Sequence, residues 1–583
     1  MPRPLQFNLP AGWWAARRRA LLCRSAALLF AAGILAVSAP AAGAVPQIAN
    51  WPSAGQNIAN SRSQPLEFTI NPGNVSQLAP KWAFTTAGDV SATPTVASGV
   101  VYFPDYKGNV YAVNAATGTM LWDDQVPALN GVPGSFSRNS PLLVGNEVVF
   151  GDNFNNPQPA GAHVFAVSRT DGHLLWSTQV DPHQAAQVTA NPVYANGKII
   201  VGVASNEEGD ATNPAYPCCT FRGSVLALDP GTGSIEWKTY TVPPNSGPCT
   251  EPGAPSNPNG PSGCGYSGGA VWDTPAVDPI SNTVFVGTGN NYTAPDAAVT
   301  CQQNAVANKT SDANCTAPDD YFDAAVALSL KDGHIIWGHK VEGWDAWNVA
   351  CIFYGPSVTW CPSPNSPDYD FGGAGPNLMI VKGSNGGLRE LVGLGQKSGF
   401  YWAFDPSNGN IVWDTLVGPG SSLGGIEWGT AYDLQRIYVP LSGYAGDAVP
   451  GHPEKGSYNL ASGGSTDYGS WAALDPSTGK FDWQVPVPTA SVPGTNLALG
   501  PASEANGVMY AGSMAPSPTD PNMYALNAAT GQILWSFPSG GSVNSGPAIA
   551  NGTVYWGSGY SHLGPFLPFT GNNKLYAFTL GGH

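Results

Sequence analysis

A twelve-residue pattern that recurs seven times constrains the fold of this chain more than any other feature. Each copy has alanine at its second position, glycine at its eighth and tryptophan at its twelfth. Repeats spaced by tens of residues are typical of proteins built from equivalent units. The copies occupy residues 111–122, 165–176, 226–237, 326–337, 402–413, 472–483 and 524–535.

The pattern predicts a β-hairpin. Its glycine stands at a tight turn, where the chain needs a positive φ that other residues adopt at a cost. The residues on both sides of the turn are rich in Val, Ile, Leu, Tyr and Trp, which strands prefer. Each copy therefore supplies two neighbouring strands of a sheet.

An eighth copy is split between the two ends of the chain. Residues 576–578, Tyr-Ala-Phe, supply its opening strand without a following tryptophan, and Trp82 stands in a strand-like stretch without an opening half. Pairing the N- and C-terminal strands would join the halves and remove exposed sheet edges. We therefore predict an all-β, eight-bladed β-propeller closed by those strands, with a tryptophan wedge in each blade. An irregular β-sandwich is the alternative.

Residues 1–44 are predicted to be a cleaved export signal, and residues 45–583 the propeller. Arginines 17–19 precede an apolar run at 26–37, and Ala-Gly-Ala at 42–44 resembles a cleavage site. A membrane anchor is the alternative, but the run is too short to span a bilayer. We expect a periplasmic or secreted protein without a membrane span, exported by the general or the twin-arginine route.

The charge distribution argues against a nucleic-acid partner. The net charge is −16, and five of the arginines lie in the predicted signal, so the remainder of the chain is more acidic still. No basic stripe is present, whereas nucleic-acid-binding domains usually carry one. No stretch has the periodicity of an amphipathic helix, and 72 glycines and 54 prolines fit an all-β chain with many turns.

The cysteines predict disulfides. Eight follow the export signal, and an even number in an exported protein favours pairing. Adjacent Cα atoms lie only ~3.8 Å apart, so a bond between Cys218 and Cys219 would close a strained small ring; pairing elsewhere is the alternative. Proximity in sequence predicts the remaining pairs as Cys249–Cys264, Cys301–Cys315 and Cys351–Cys361.

The spacing of the repeats locates the candidate site. Trp82 and Trp122 are 40 residues apart, whereas Trp237 and Trp337 are 100 apart, and the excess lies in long loops between about residues 203 and 375. Long ordered loops on a rigid scaffold commonly build a site. Carboxylates together with an asparagine carbonyl are hard ligands that suit calcium. The candidates are Glu207, Glu208, Arg222, Trp272, Asn290, Asp345, Asp368, Asp370 and Lys397.

The repeat, read as Ala-x-Asp-x-x-Thr-Gly-x-x-x-Trp, resembles the tryptophan-docking motif of the pyrroloquinoline quinone (PQQ) dependent alcohol dehydrogenases, which are eight-bladed propellers. The likeness covers about residues 50–583. Residues 218–223, 345–351 and 424–429 are most similar to the polyvinyl-alcohol dehydrogenase branch of that family.

The resemblance implies a metal site and a catalytic base. Glu207 matches the family's calcium-binding glutamate and Asn290 its calcium-binding asparagine. Asp345, which follows Trp344, matches the aspartate that acts as the catalytic base and that we expect to contribute a further calcium ligand.

The resemblance also implies a PQQ site. Thr189, Arg138 and Lys397 match residues that bind the quinone, and Trp272 matches the tryptophan that stacks under it. A bonded Cys218–Cys219 pair would also contact PQQ, although in methanol dehydrogenases the adjacent cysteines directly precede the arginine, and here they follow Arg138 by 80 residues.

The implied activity is that of a quinoprotein alcohol dehydrogenase. The alcohol, expected to be secondary and to include polymers such as polyvinyl alcohol, would lose a proton to Asp345 and a hydride to PQQ. Electrons would pass to an external cytochrome c, because the chain has no Cys-x-x-Cys-His motif for its own c-type haem. A quinone enzyme for sugars or small alcohols remains open. So does a non-enzymatic propeller that serves as a protein-binding or assembly scaffold.

Overall fold

The computed structural model describes residues 49–583 except 214, 217, 246–264, 355–367, 384–385, 444–456 and 564–566. The predicted export signal therefore lies outside the described residues. Eight antiparallel sheets, each with four principal strands, follow one another along the chain. This arrangement confirms the predicted eight-bladed β-propeller.

The blades are numbered from the N-terminus, and each contains four strands in the order of pairing. Blade 1 comprises Thr95–Ala97, Val100–Pro104, Asn109–Asn114 and Met120–Gln125, and blade 2 comprises Leu142–Val144, Glu147–Gly151, Ala162–Ser168 and Leu174–Asp181. Blade 3 comprises Val193–Ala195, Lys198–Ser205, Ser224–Leu228 and Ile235–Tyr240. Blade 4 comprises Ala276–Asp278, Thr283–Gly287, Ala324–Ser329 and Ile335–Lys340. Ala186–Gln187 also pairs with the second strand of blade 3.

Blades 5 to 8 complete the ring. Blade 5 comprises Asn377–Lys382, Leu388–Gly395, Phe400–Phe404 and Ile411–Leu416, and blade 6 comprises Ala431–Tyr432, Ile437–Leu441, Ser470–Leu474 and Phe481–Pro486. Blade 7 comprises Ser503–Ala505, Val508–Gly512, Met523–Asn527 and Ile533–Phe537. Blade 8 comprises Ala548–Ala550, Thr553–Ser558, Lys574–Leu580 and Leu78–Thr85.

Blade 8 closes the ring as predicted. Its outer strand, Leu78–Thr85, comes from the N-terminal end of the described chain and pairs antiparallel with the C-terminal strand Lys574–Leu580. The register runs from Leu78 opposite Leu580 to Thr85 opposite Lys574. Trp535 of blade 7 then donates its indole N–H to the carbonyl of Leu78, at 2.9 Å, and so links blade 7 to the closing strand.

The repeat tryptophans act as wedges between blades. Seven of the eight indoles donate a hydrogen bond to a backbone carbonyl of the next blade, at 2.9–3.1 Å. Trp413 is the exception, since its buried indole nitrogen has no hydrogen-bond partner among the described residues. Its ring still stacks on Tyr401, with the ring centroids 5.9 Å apart.

The repeat glycine packs on the tryptophan of the preceding blade. Gly531 has φ +72°, and a Cβ added there would lie 2.6 Å from Cε3 of Trp483. Glycine is therefore required for two reasons, the positive φ of the turn and the close approach of the indole. The sequence predicts the need for a positive φ at this turn, but it does not reveal the contact with the indole of the preceding blade.

We expect Gly531→Ala to lower the free energy of unfolding by about 2–4 kcal/mol, from a left-handed backbone and an overpacked indole. Gly99→Ala is the matched control, because Gly99 has φ +78° but no atom within 4 Å of an added Cβ. It should lose only about 1 kcal/mol. Denaturant unfolding measures both values, and equal losses would show that the indole contact contributes nothing.

The loops between the strands contain helices that the sequence did not predict. The helices are Val126–Asn130, Glu207–Asp210, Asp296–Asn308 and Ala350–Tyr354, with 3₁₀ turns at Val75–Gln77, Gly372–Ala374 and Ser561–Leu563. Helix Asp296–Asn308 buries only Ala298 and Ala305 and so lacks an apolar face, which is why the sequence shows no amphipathic periodicity there. Two short ribbons pair Ser267–Gly268 with Asn291–Thr293 and Tyr458–Asn459 with Ser465–Thr466.

Disulfides stabilise these insertions. Cys301 in helix Asp296–Asn308 is bonded to Cys315, as predicted, and Cys218 is bonded to Cys219. Cys351 is also disulfide-bonded. Its predicted partner Cys361 and the predicted pair Cys249–Cys264 lie outside the described residues. Within the described ranges, no helix has the length and apolarity needed to cross a bilayer.

Candidate active site

A cavity of about 1490 Å³ brings together side chains from the insertions and from several blades. Four of the six residues predicted to bind the cofactor line this cavity: Arg138, Thr189, Trp272 and Lys397. They stand far apart in the sequence, so their convergence results from the closed ring. This cavity is the candidate active site.

Two cationic side chains flank a pair of indole rings along one wall of the cavity. The Nζ atom of Lys397 lies 5.4 Å from the ring centroid of Trp272. Trp272 makes an edge-on contact with Trp428, with ring centroids 4.9 Å apart, and the guanidinium of Arg138 lies 4.7 Å from the ring centroid of Trp428. The two cations thus lie at opposite ends of a pair of flat indole rings.

Lys397 is held by two aspartates. Its Nζ atom lies 3.2 Å from Oδ2 of Asp368 and 3.4 Å from Oδ2 of Asp370. Burial by itself would lower the pKa of Lys397, but the neighbouring carboxylates outweigh burial and raise that pKa well above its usual range. Lys397 is therefore a fixed positive charge in the cavity wall.

The 368–370 segment organises the centre of the site. Oδ1 of Asp370 accepts a hydrogen bond from the backbone N–H of Asn290 at 2.7 Å, and its Oδ2 accepts one from the indole of Trp272 at 3.2 Å. The backbone N–H of Tyr369 donates to Oδ2 of Asp345 at 2.6 Å. One short segment therefore contacts the predicted stacking tryptophan, a predicted metal ligand and the predicted base.

Negative charge is in excess around the cavity. Of the described lining residues, six are acidic and three are basic. Burial raises the pKa of Glu208 to about 7, with Lys397 opposing the shift and the carboxylates of Asp370 and Asp345 adding to it. A site in which carboxylates outnumber cations favours the binding of a further cation. The lining acids are Asp89, Glu208, Asp210, Asp368, Asp370 and Glu427.

Glu207 lies beside the cavity but does not line it. Its carboxylate is fully buried and accepts hydrogen bonds from the backbone N–H groups of Thr220 and Phe221, both at 2.8 Å, and from the hydroxyl of Tyr216 at 3.1 Å. Burial raises the pKa of Glu207 to about 7, against the effect of these donors. The side chain therefore anchors the turn that carries Cys218 and Cys219.

Asn290 and Asp345, the other predicted metal ligands, lie behind the cavity wall. The side-chain amide of Asn290 donates to the carbonyl of Trp347 at 2.8 Å, and the backbone N–H of Asn291 donates to the carbonyl of Asp345 at 3.2 Å. These two residues are therefore neighbours, whereas Glu207 has a different set of partners. Across the described ranges, no three His, Cys, Asp or Glu side chains are arranged to hold a metal ion.

The remaining candidates have other environments. Cys218 and Cys219 are buried in a hydrophobic cluster with Phe221 and do not line the cavity. Arg222 lies 4.0 Å from the ring centroid of Tyr240 and donates to the carbonyl of Val242. Both groups are thus structural in this geometry.

Glu427 and Trp428 were not among the site residues predicted from the sequence. Both line the cavity, and Glu427 is almost fully buried. The only signal was the similarity of residues 424–429 to the polyvinyl-alcohol dehydrogenase branch, which marked the stretch without indicating which side chains face the site.

Comparison with known proteins decides the family. The chain is 31% identical over 563 residues to the polyvinylalcohol dehydrogenase of a Pseudomonas species, covering 91% of this chain and 77% of that protein. The chain belongs to the PQQ-dependent alcohol dehydrogenase family. The polyvinylalcohol dehydrogenase of Sphingopyxis sp. strain 113P3 is 30% identical, with 93% of this chain and 77% of that protein covered. A family profile described as "Outer membrane protein assembly factor BamB" matches residues 76–215 and 467–578.

Solved structures agree on the fold of this quinoprotein. Quinohemoprotein alcohol dehydrogenase from Comamonas testosteroni superposes with a TM-score of 0.64 at 20% identity, covering 93% of this chain and 82% of that one. The ADHIIG enzyme of Pseudomonas putida HK5 gives 0.65 at 19% identity, covering 92% and 81%. At these identities the match supports the fold alone. The two relatives that match more than nine-tenths of this chain show that it is an oxidoreductase that acts on an alcohol with a quinone cofactor.

Proposed function

We propose that this quinoprotein oxidises secondary alcohols, polymeric ones such as polyvinyl alcohol included, with PQQ and calcium, and that it passes electrons to an external cytochrome c. The main support is the convergence of Arg138, Thr189, Trp272 and Lys397 on one cavity. Two relatives that match more than nine-tenths of the chain are named polyvinylalcohol dehydrogenases, which favours that substrate class. We further propose that the mature protein is periplasmic or secreted.

The lining residues fit a flat, anionic quinone. Trp272 offers an apolar ring face for stacking, while Lys397 and Arg138 place positive charge at both ends of the indole pair. The hydroxyl of Thr189 is already oriented, because it accepts a hydrogen bond from the side chain of Asn153 at 2.9 Å. When bound, PQQ supplies the carbonyl that accepts hydride from the alcohol. Positive charge nearby would stabilise the negative charge that develops on its oxygens.

The chemistry of the wall also fits a hard divalent cation, since calcium prefers carboxylate and carbonyl oxygens. We propose that Glu208, which lines the cavity, holds calcium together with the neighbouring predicted ligands Asn290 and Asp345. Glu207 could join them only by giving up its hydrogen bonds to Thr220 and Phe221.

Calcium titration of variants separates the two glutamates. We expect Glu208→Gln to abolish most of the thermal stabilisation that calcium gives the apoprotein, which at a hundredfold excess over Kd amounts to about 2.7 kcal/mol. Glu207→Gln should lower stability without calcium but retain much of the calcium increment. The reverse pattern would restore Glu207 as the metal ligand predicted from the sequence.

Reconstitution tests the activity itself. Purified protein supplied with PQQ and calcium should reduce an artificial dye in the presence of polyvinyl alcohol and secondary alcohols, and more slowly with short primary alcohols or sugars. Neither PQQ nor calcium alone should suffice. PQQ binding without turnover of any alcohol would favour the scaffold alternative, and the physiological acceptor is tested by replacing the dye with cytochrome c.

A further inference from the structure

The cavity is larger than a cofactor site requires. Pockets for drug-sized ligands and cofactors usually measure about 300–1,000 Å³, and this one measures about 1490 Å³. Its charged part contains Lys397 and the 368–370 segment. The remaining part begins at Arg138, whose Nη2 atom donates to the hydroxyl of Tyr560 at 3.2 Å.

That second part is lined by stacked aromatic rings. Tyr106 stacks on His562, with ring centroids 5.1 Å apart, and lies 5.2 Å from the centroid of Phe136. The exposure of the rings to solvent increases along the stack: Phe136 is buried, Tyr106 is half-buried and His562 is exposed. The aromatic stack, defined as Tyr106, Phe136 and His562, therefore extends from the cavity interior to its rim.

The turn that carries His562 is held in place by Asp89. His562 belongs to the 3₁₀ turn Ser561–Leu563, and the carboxylate of Asp89 accepts hydrogen bonds from the backbone N–H and hydroxyl of Ser561, both at 2.6 Å. Asp89 also accepts a hydrogen bond from the backbone N–H of Asn572 at 3.1 Å. A ring held this way offers a binding face without losing much conformational freedom on binding.

We propose that the aromatic stack binds the carbon chain of the alcohol substrate and so gives the enzyme a preference for long or polymeric alcohols. Alkyl groups of such a chain pack on ring faces, and the exposed imidazole of His562 suits its hydroxyls. This inference rests on the proposed function. A short alcohol reaches the charged part of the cavity but leaves the stack uncovered.

The test compares KM across chain length. With holoenzyme, His562→Ala should raise KM for polyvinyl alcohol oligomers about tenfold and raise KM for 2-propanol much less, because the lost ring contacts only the longer chain. Tyr106→Leu should act in the same direction, and it preserves bulk next to Phe136. Phe68→Ala is the matched control, since Phe68 is 73% exposed and lies outside this cavity; its KM values should not change.

A binding measurement separates the subsite from the activity. Calorimetry with polyvinyl alcohol oligomers, without an electron acceptor, should give about tenfold weaker binding for His562→Ala than for Phe68→Ala. If oligomer binding depends on His562 but the protein oxidises no alcohol, the subsite is supported and the proposed function is overturned. If the protein oxidises alcohols but neither His562→Ala nor Tyr106→Leu changes the ratio of long-chain to short-chain KM, the subsite is overturned.

Discussion

Asp345→Asn is expected to lower kcat for alcohol oxidation by about 10²–10⁴-fold, because it removes the carboxylate that the family resemblance predicts to take the proton of the substrate hydroxyl. The amide can keep the hydrogen bond that the backbone N–H of Tyr369 donates at 2.6 Å, so the fold around position 345 should persist. PQQ binding, followed by its absorbance, should stay within about threefold of wild type. Stopped-flow or steady-state dye reduction at saturating PQQ and calcium measures kcat.

The neighbouring aspartates provide the comparison. Asp368 and Asp370 line the cavity, whereas Asp345 lies behind it. Asp370→Asn should weaken PQQ and calcium binding as well as kcat, because Asp370 contacts both Trp272 and Lys397. Should Asp345→Asn retain wild-type kcat while Asp368→Asn or Asp370→Asn loses it with PQQ fully bound, the base belongs to the 368–370 segment.

The fold was predictable because its determinants are local and repeated. Ala, Gly and Trp at fixed positions encode the hairpin and its wedge, and the hydrogen bond from Trp535 to Leu78 shows the same rule at the ring closure. The helix Asp296–Asn308 was not predictable in this way. It is stabilised within an insertion by the Cys301–Cys315 bond rather than by an apolar face of its own.

The site was predictable only in part. The resemblance selected Arg138, Thr189, Trp272 and Lys397, and the structure brings all four to one cavity. It assigned the metal to Glu207, whereas the side chain that lines the cavity is the adjacent Glu208. These adjacent residues differ because Thr220 and Phe221, thirteen and fourteen positions onward, present two backbone N–H groups to Glu207. Such a distinction depends on where a distant turn folds, which no local pattern records.

Glu427 illustrates the same limit for electrostatics. Burial lowers the pKa of Lys397 and Arg138, other neighbours of each cation raise it more strongly, and the carboxylate of Glu427 adds a smaller increase to both. These residues are separated by tens to hundreds of positions in the sequence. The sign of the cavity's charge therefore emerges only when the ring is closed.

Lys397→Met is expected to lower the free energy of unfolding by about 3–5 kcal/mol, because it leaves the buried carboxylates of Asp368 and Asp370 without their cation. PQQ binding should fall by at least a hundredfold, since the same change removes a positive charge from the quinone site. Denaturant unfolding of the apoprotein gives the first quantity and absorbance titration the second.

Lys198→Met is the matched control for the loss of an ion pair. The ammonium of Lys198 pairs with the carboxylate of Glu236 outside the cavity, and the two side chains are 19% and 31% exposed. A pair of this kind contributes about 0–1 kcal/mol, so PQQ binding should be unaffected and the stability loss small. Lys397→Arg keeps the charge and should recover most of the stability. Equal losses in Lys397→Met and Lys198→Met, with PQQ still bound tightly by both, would show that Lys397 is an ordinary structural cation rather than the fixed charge of a quinone site.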